Sequence, residues 1–267
     1  MKIFKIASTH NNILIHTDIT RGIKIPFISK KKFLFKHYSF LKKNLPNTNL
    51  FFPSFNYEFL KSGNYNVIND AIQVGILNEY IRLNHSNYRT LTPVFSFIGK
   101  EKPENYKEEI TNIIDPFGDS SFFNYLQNSD SGLIHYGSKI DSTTLIHYVE
   151  RISNKLNYRY NKYFKGKIYL SEKNYKNVNL KYHVKPLRLY QNYDWKKIKL
   201  DLINNNLLIN YKKERCSIIY FPISKVVNFW LNKLNNDSLY FLDSKSKNIV
   251  NKKLSKTGKK FELNDFE

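Results

Sequence analysis

The stretch 133–160, LIHYGSKIDSTTLIHYVERISNKLNYRY, constrains the fold more than any other part of the chain. It reads as an apolar strand, a polar turn and an amphipathic helix in direct succession. Leu133, Ile134 and Tyr136 make a strand-like run, and Gly137 and Ser138 break it. Asp141 or Ser142 can then cap a helix that carries Leu145, Tyr148, Val149 and Ile152 on one side. A strand feeding a helix in this way brings Asp141, Ser142, Thr143, Thr144 and His147 to one end of a sheet. Ligands of open α/β sheets favour the crevice beyond the strand carboxyl ends, where a helix N-terminus offers N–H groups to an anion. His147 and Glu150 are spaced to share one helix face. A histidine in an amphipathic helix serves either as a packing residue or as a catalyst, so the rest of the chain must decide.

Composition narrows the class. The 267 residues, 41% hydrophobic and 16% aromatic, suffice for a substantial core, which favours one α/β domain spanning 1–267. No apolar run is long enough to span a bilayer, and MKIFKIASTHNN lacks the form of a secretion signal, so a soluble, cytoplasmic protein is expected. Cys216, the single cysteine, excludes an intrachain disulfide and a cysteine-rich zinc site, and its strand-like setting suggests a buried thiol. No metal is expected. The formal net charge of +21 raises nucleic acid as a partner. Against this, lysine outnumbers arginine and the basic residues are dispersed, whereas specific phosphate and base recognition leans on the arginine fork. A positive field that attracts small phosphorylated ligands is the milder expectation.

Elements can be placed along the chain. Strands are predicted at Ile13 to His16, Asn49 to Ser54, Val94 to Ile98 and Ser217 to Pro222, and helices at Phe33 to Lys43, Gly75 to Leu83, Trp195 to Asn204 and Ser224 to Leu234. Asn56 to Asn69 reads as a loop, Lys100 to Glu109 as a solvated helix, and Ser120 or Ser121 as the cap of a short helix. From Lys165 onward the pattern changes to strands and turns, and the lysine-rich tail from about 245 is expected to fray. Alternating strands and helices argue for a layered mixed α/β sheet flanked by helices.

A series of short elements stands in order: Ile15-His16-Thr17-Asp18, Leu50 to Tyr57 (LFFPSFNY), Gly75 to Tyr80 (GILNEY), Pro93 to Phe97 (PVFSF), Phe117-Gly118 with Ser120 and Ser121, and Asp141 to Glu150 (DSTTLIHYVE), continued by Asn157-Tyr158-Arg159-Tyr160. This set resembles the aminoglycoside 3-N-acetyltransferase family, in particular its branch found with bacterial surface-polysaccharide genes. The first element is similar to a strand ending in His-Ser-Ser or His-Ser-Asp, and the second to Met-Pro-Thr-Phe-Thr-Tyr. The last looks like the family's Asp-Ser-x-Thr-x-x-His-x-x-Glu signature.

The resemblance implies acetyl transfer from acetyl-coenzyme A to an amino group of an amino sugar, expected to be nucleotide-linked, by direct attack in a ternary complex. It implies His147 as base, oriented by Glu150 or a more distant carboxylate, and Thr144 as hydroxyl donor near the thioester. His16, Thr17, Asp18, Ser96, Ser142 and Thr143 fall on the coenzyme side, and Tyr57, Glu58, Asp115 and Asp141 on the amino-sugar side. The sequence departs from the family pattern at Thr92, which replaces a histidine before proline, at Asn66, and in keeping only Gly22 of a glycine-rich turn. The competing readings are a basic protein for RNA or another polyanion, a catalytically impaired acyltransferase fold, and a hydrolase or phosphate-transfer enzyme using His147.

Overall fold

Alternate residues of an apolar strand point to opposite faces of a sheet, and both faces are covered here. The computed structural model describes residues 1–258 and 260–266. Its strands are β1 (Asn12–Thr17), β2 (Asn49–Pro53), β3 (Asn64–Asn66), β4 (Tyr88–Arg89), β5 (Phe97–Gly99), β6 (Ile113–Ile114), β7 (Ser131–Tyr136), β8 (Tyr160–Tyr169), β9 (Tyr175–Val184), β10 (Ile209–Lys213) and β11 (Cys216–Pro222). Its helices are α1 (Lys2–Ala7), α2 (Lys30–Asn44), α3 (Phe59–Ser62), α4 (Ile76–His85), α5 (Phe122–Asn128), α6 (Leu145–Ile152), α7 (Trp195–Asn204), α8 (Ile223–Asn236) and α9 (Ser244–Thr257).

Among the described residues the main sheet has seven strands in the order β10-β11-β7-β1-β2-β5-β4. β7, β1 and β2 run parallel, and antiparallel strands extend the sheet on both sides. Ile13 and Ile15 of β1, Ile134 and Tyr136 of β7, and Ile218 and Tyr220 of β11 pack on one face, under α1, α2 and α4. Leu14, Leu133, Ile219 and Phe221 pack on the other, with Leu126 of α5, Leu145 and Val149 of α6, and Trp230 of α8. A second sheet, β3-β8-β9-β6, is built on the long β8–β9 hairpin. The layered mixed α/β arrangement is the one expected. No helix among the described residues is long and apolar enough to cross a membrane.

Because β1 and β7 are parallel neighbours, with His16 opposite His135 and Thr17 opposite Tyr136, both chains leave the sheet at the same end. Their exits nearly touch. Gly137 has φ +79°, and a Cβ there would collide with the backbone carbonyl of Asp18. Only glycine gives this left-handed exit without a side chain in the way.

Several expectations need correction. Asn56 to Asn69 is not a plain loop: it contains α3 and β3. The strand expected from Val94 begins only at Phe97, because Val94 adopts φ 68°. Lys100 to Glu109 forms no helix; Glu108 turns inward to accept from the Leu91 N–H (2.7 Å) and the Tyr88 hydroxyl (3.0 Å). Neither Asp141 nor Ser142 caps α6, whose N-cap is Thr144. Ser121 does cap α5, accepting from the Asn124 N–H. Cys216 is half-buried rather than sealed. The tail is also ordered, as α9, which buries Ser246 and Val250.

Gly137→Ala is expected to lower unfolding stability by about 3 kcal/mol, since strained backbone positions cost roughly 1–3 kcal/mol and the Asp18 turn must also shift. Chemical denaturation checks this, and an unchanged midpoint would show that the two exits are free to separate.

Candidate functional site

The exits of β1 and β7 open into a cleft of about 600 Å³. Thr17 and Asp18 follow β1, and Ser138, Lys139 and Asp141 to Thr144 follow β7. Phe55 and Tyr57 enter from the chain after β2, the N-terminus of α4 contributes Gly75 to Asn78, and Tyr193 and Trp195 close the side opposite. Polar contacts hold these segments together. The Thr17 hydroxyl donates to Asn78 Oδ1 (2.7 Å), and the Asn78 amide donates to the Pro53 carbonyl (2.9 Å). Asp18 accepts from the Thr20 N–H, which shapes the turn after β1.

The cleft floor rests on two histidines. His16 and His135 face each other across β1 and β7, with ring centroids 5.2 Å apart. His135 is hydrogen-bonded at both nitrogens, to Ser138 Oγ (2.9 Å) and Thr143 Oγ1 (2.8 Å), and the Ser138 hydroxyl donates to the His16 carbonyl. These bonds tie the turn after β7 to the strand beside it. Burial holds the His16 imidazole down at about 4 and pushes His135 well below its ordinary value, with the His16 charge adding to the effect on His135.

His147 sits in the first turn of α6, and its side chain keeps 28% of its surface exposed, toward the cleft it lines. Behind it Glu150 is fully buried, with Oε2 2.9 Å from His147 Nδ1. Glu150 also accepts from the Tyr158 hydroxyl (2.8 Å) and the Tyr193 hydroxyl (2.7 Å), and forms an ion pair with Arg159, Nε to Oε2 at 2.9 Å. Burial alone would raise the Glu150 pKa. The Arg159 charge and the bonds from His147 and Tyr193 overcome it and hold the carboxyl at about 2. For His147, burial and then the charge of Arg159 lower the pKa, and the opposing pull of Glu150 is the weaker influence. The ring is therefore neutral at pH 7. With Nδ1 donating to the carboxylate, the lone pair lies on Nε2, the arrangement that a general base needs.

The structure thus brings together in the cleft His16, Thr17, Asp18, Tyr57, Asp141, Ser142, Thr143, Thr144 and His147, with Glu150 directly behind. It does not bring Ser96, Glu58 or Asp115 there. Ser96 is fully buried under the sheet edge, bonded to Ser54. Glu58 points to Gln73 (3.2 Å) and Lys61 (3.6 Å) on the surface. Asp115 pairs with Arg151 (2.7 Å) in a separate cavity of about 560 Å³, which Thr92 also lines. Sequence reasoning missed Asn78, Tyr158, Arg159, Tyr193 and Trp195 as parts of the site. Of these Asn78 left a signal within the GILNEY element, and Tyr158 and Arg159 as the NYRY run after the His147 helix. Among the described residues no group of histidine, cysteine, aspartate and glutamate side chains has metal-binding geometry.

The buried histidines predict acid sensitivity. His16 and His37 each titrate at about 4 in the fold against an ordinary 6.5, because burial disfavours the charged ring. Between those values the unfolded chain binds more protons, so the stability they contribute is complete above pH 6.5 and is lost as pH falls toward 4. Glu150, depressed from 4.5 to about 2, adds its loss only below pH 4.5. The melting temperature is expected to fall steadily from pH 6.5 to 4, and a flat profile there would contradict buried neutral rings.

Residues 48–235 match the profile of the family described as aminoglycoside 3-N-acetyltransferase. Solved structures of similar fold include AAC-IIIb in a binary complex with CoASH, with TM-score 0.67 and 13% identity over 85% of this chain and 90% of that one. The apoenzyme of aminoglycoside acetyltransferase AAC(3)-IVa gives 0.63 and 15% over 90% and 87%. The YokD protein from Bacillus subtilis gives 0.63 and 14% over 88% and 94%. No functionally curated protein matches the chain by sequence.

Proposed function

The chain belongs to the aminoglycoside 3-N-acetyltransferase family, and we propose that this acetyl-CoA-dependent N-acetyltransferase acylates the amino group of an amino sugar, nucleotide-linked and destined for surface-glycan synthesis in the cytoplasm. The observation that carries the reading is His147 on the wall of a cleft of about 600 Å³, with the buried Glu150 carboxylate 2.9 Å behind its Nδ1.

In this reaction the amine lone pair forms the N–C bond at the thioester carbonyl while His147 Nε2 takes the amine proton. Collapse of the tetrahedral adduct breaks the C–S bond, and the proton passes from the imidazolium to the departing sulfur. Thr144, at the N-cap of α6 and in the cleft, is assigned to the oxyanion, with the positive end of the helix behind it. The hydroxyls of Thr17, Ser142 and Thr143 and the N-terminus of α4 are assigned to acetyl-coenzyme A, whose phosphates suit helix N-termini. AAC-IIIb, of similar fold, binds CoASH.

Tyr57, Tyr193 and Trp195 are assigned to the acceptor, since ring faces stack on the apolar faces of sugars. Of the carboxylates named for the acceptor side, Glu58 stays on the surface and Asp115 pairs with Arg151, so only Asp141 remains in the cleft to meet an amine, with Asp18 on the coenzyme side. The chain's net charge of +21 also opposes a polycation and favours an acceptor that carries phosphate. These features support a sugar with a single amine over an aminoglycoside.

His147→Ala is expected to lower kcat by at least ~100-fold while leaving coenzyme A affinity within about twofold, as for loss of a general base. Thiol-release assays and calorimetry measure the two; near-normal turnover would remove His147 from the base role. In the same assay, nucleotide-linked mono-amino hexoses are expected to exceed kanamycin-type aminoglycosides in kcat/KM by at least ~10-fold, about 1.4 kcal/mol of transition-state preference. The reverse order would sink the single-amine reading.

A further inference from the structure

His147 Nδ1 has two competing neighbours. It can donate to Glu150 Oε2 at 2.9 Å, or it can accept from Arg159 Nη2 at 3.3 Å. The choice decides the chemistry, because an imidazole that accepts at Nδ1 carries its proton on Nε2 and cannot act as a base there. The hydroxyl of Tyr193 lies between the competitors. It accepts from Arg159 Nη2 at 2.6 Å and donates its single proton to Glu150 at 2.7 Å, while its oxygen stays 3.3 Å from Nδ1. Burial keeps that hydroxyl protonated. Arg159 is anchored on its far side by donation from Nη1 to the His183 carbonyl (3.1 Å), and Tyr158 closes the remaining side of Glu150.

Resting on the acyl-transfer reading, the geometry points to Tyr193 and Arg159 as positioning residues: Tyr193 steers the guanidinium away from His147 so that Nδ1 keeps its proton, and Arg159 offsets the Glu150 charge so that His147 gives up a proton readily. The groups that face the ring are Glu150 from its own helix, Arg159 from the chain entering β8, Tyr193 from the segment before α7, and Lys185 after β9, whose charge acts in the same direction as that of Arg159; Tyr158 meets the Glu150 carboxylate instead. None of these partners except Glu150 belongs to the His147 helix. The hydroxyl of Tyr193 does not move a proton in the reaction; it selects which ring nitrogen is free to do so.

Two variants test this by nitrogen-15 NMR of the histidine rings in the free protein, with His147 assigned from the spectrum of His147→Gln. Tyr193→Phe keeps the ring and removes the hydroxyl. The Nδ1–H tautomer is expected to fall as Arg159 turns to Nδ1, with kcat down by roughly tenfold and KM for the acetyl donor within about twofold. Arg159→Met leaves Glu150 without its counter-charge, which favours the imidazolium. The midpoint of His147 and the acid limb of kcat/KM are both expected to move up by about one pH unit, the scale of a neighbouring-charge effect, and Arg159→Lys should restore part of the shift.

A folded Tyr193→Phe protein with the wild-type tautomer would overturn the steering role, and a folded Arg159→Met protein with an unmoved midpoint would overturn the charge role. Should Arg159→Met fail to fold, Arg159→Gln decides instead, because glutamine keeps hydrogen-bonding capacity without the charge, and an unmoved His147 midpoint there would overturn the charge role equally. The titrations need no substrate. Absence of acetyl transfer by the native protein therefore defeats the functional reading without touching this one.

Discussion

A single buried carboxylate organises the functional end of this protein. Placing Glu150 out of water costs several kcal/mol unless charge and hydrogen bonds compensate it, and the compensation comes from parts of the chain far apart in sequence. Arg159 supplies the opposite charge, Tyr158 and Tyr193 supply hydroxyls, and His147 supplies an N–H. Each donor brings its own segment. The ion pair closes the turn after α6, and Tyr193 draws the chain before α7 against the cleft. The histidine that faces the cleft is thereby oriented by a carboxylate that solvent does not reach.

The second constraint is the meeting of two strand exits. Parallel β1 and β7 deliver Thr17 and Gly137 side by side, and the glycine allows the following turn to pass against the Asp18 carbonyl. That close approach places Ser138 to Thr144 across from Thr17 and Asp18. The His135 ring then fastens the turn through Ser138 and Thr143. A cleft at the carboxyl edge of a parallel strand pair is a recurring consequence of α/β topology, since there the strands end and the helices begin.

Local patterns were legible where one periodicity ran without interruption. The helix at Trp195 to Asn204 and the strand before α8 fall where alternation and spacing place them, and Ser121 caps as its position suggests. Errors came where a distant contact overrode a local preference. Val94 leaves the strand conformation because its carbonyl pairs with the Asn56 N–H, and Glu108 turns inward to meet the Leu91 N–H. The lysine-rich end becomes helical because Ser246 and Val250 find the core and Asp243 caps the helix, facts that composition cannot express.

The sequence by itself determined the strand-turn-helix unit that carries His147 and Glu150, because period, turn residues and the three-residue spacing are all local. Through the family resemblance it also marked Thr17, Thr144 and His147 as candidate site residues. Tertiary structure alone decided which of the named carboxylates and hydroxyls work together. Asp115 is paired in another cavity and Ser96 is sealed, while Tyr193, Trp195 and Arg159 arrive from later segments. The reason is physical: a buried charge takes whichever donors the packed core brings within hydrogen-bond reach, and that distance is set by the packing of sheets and helices rather than by separation along the chain.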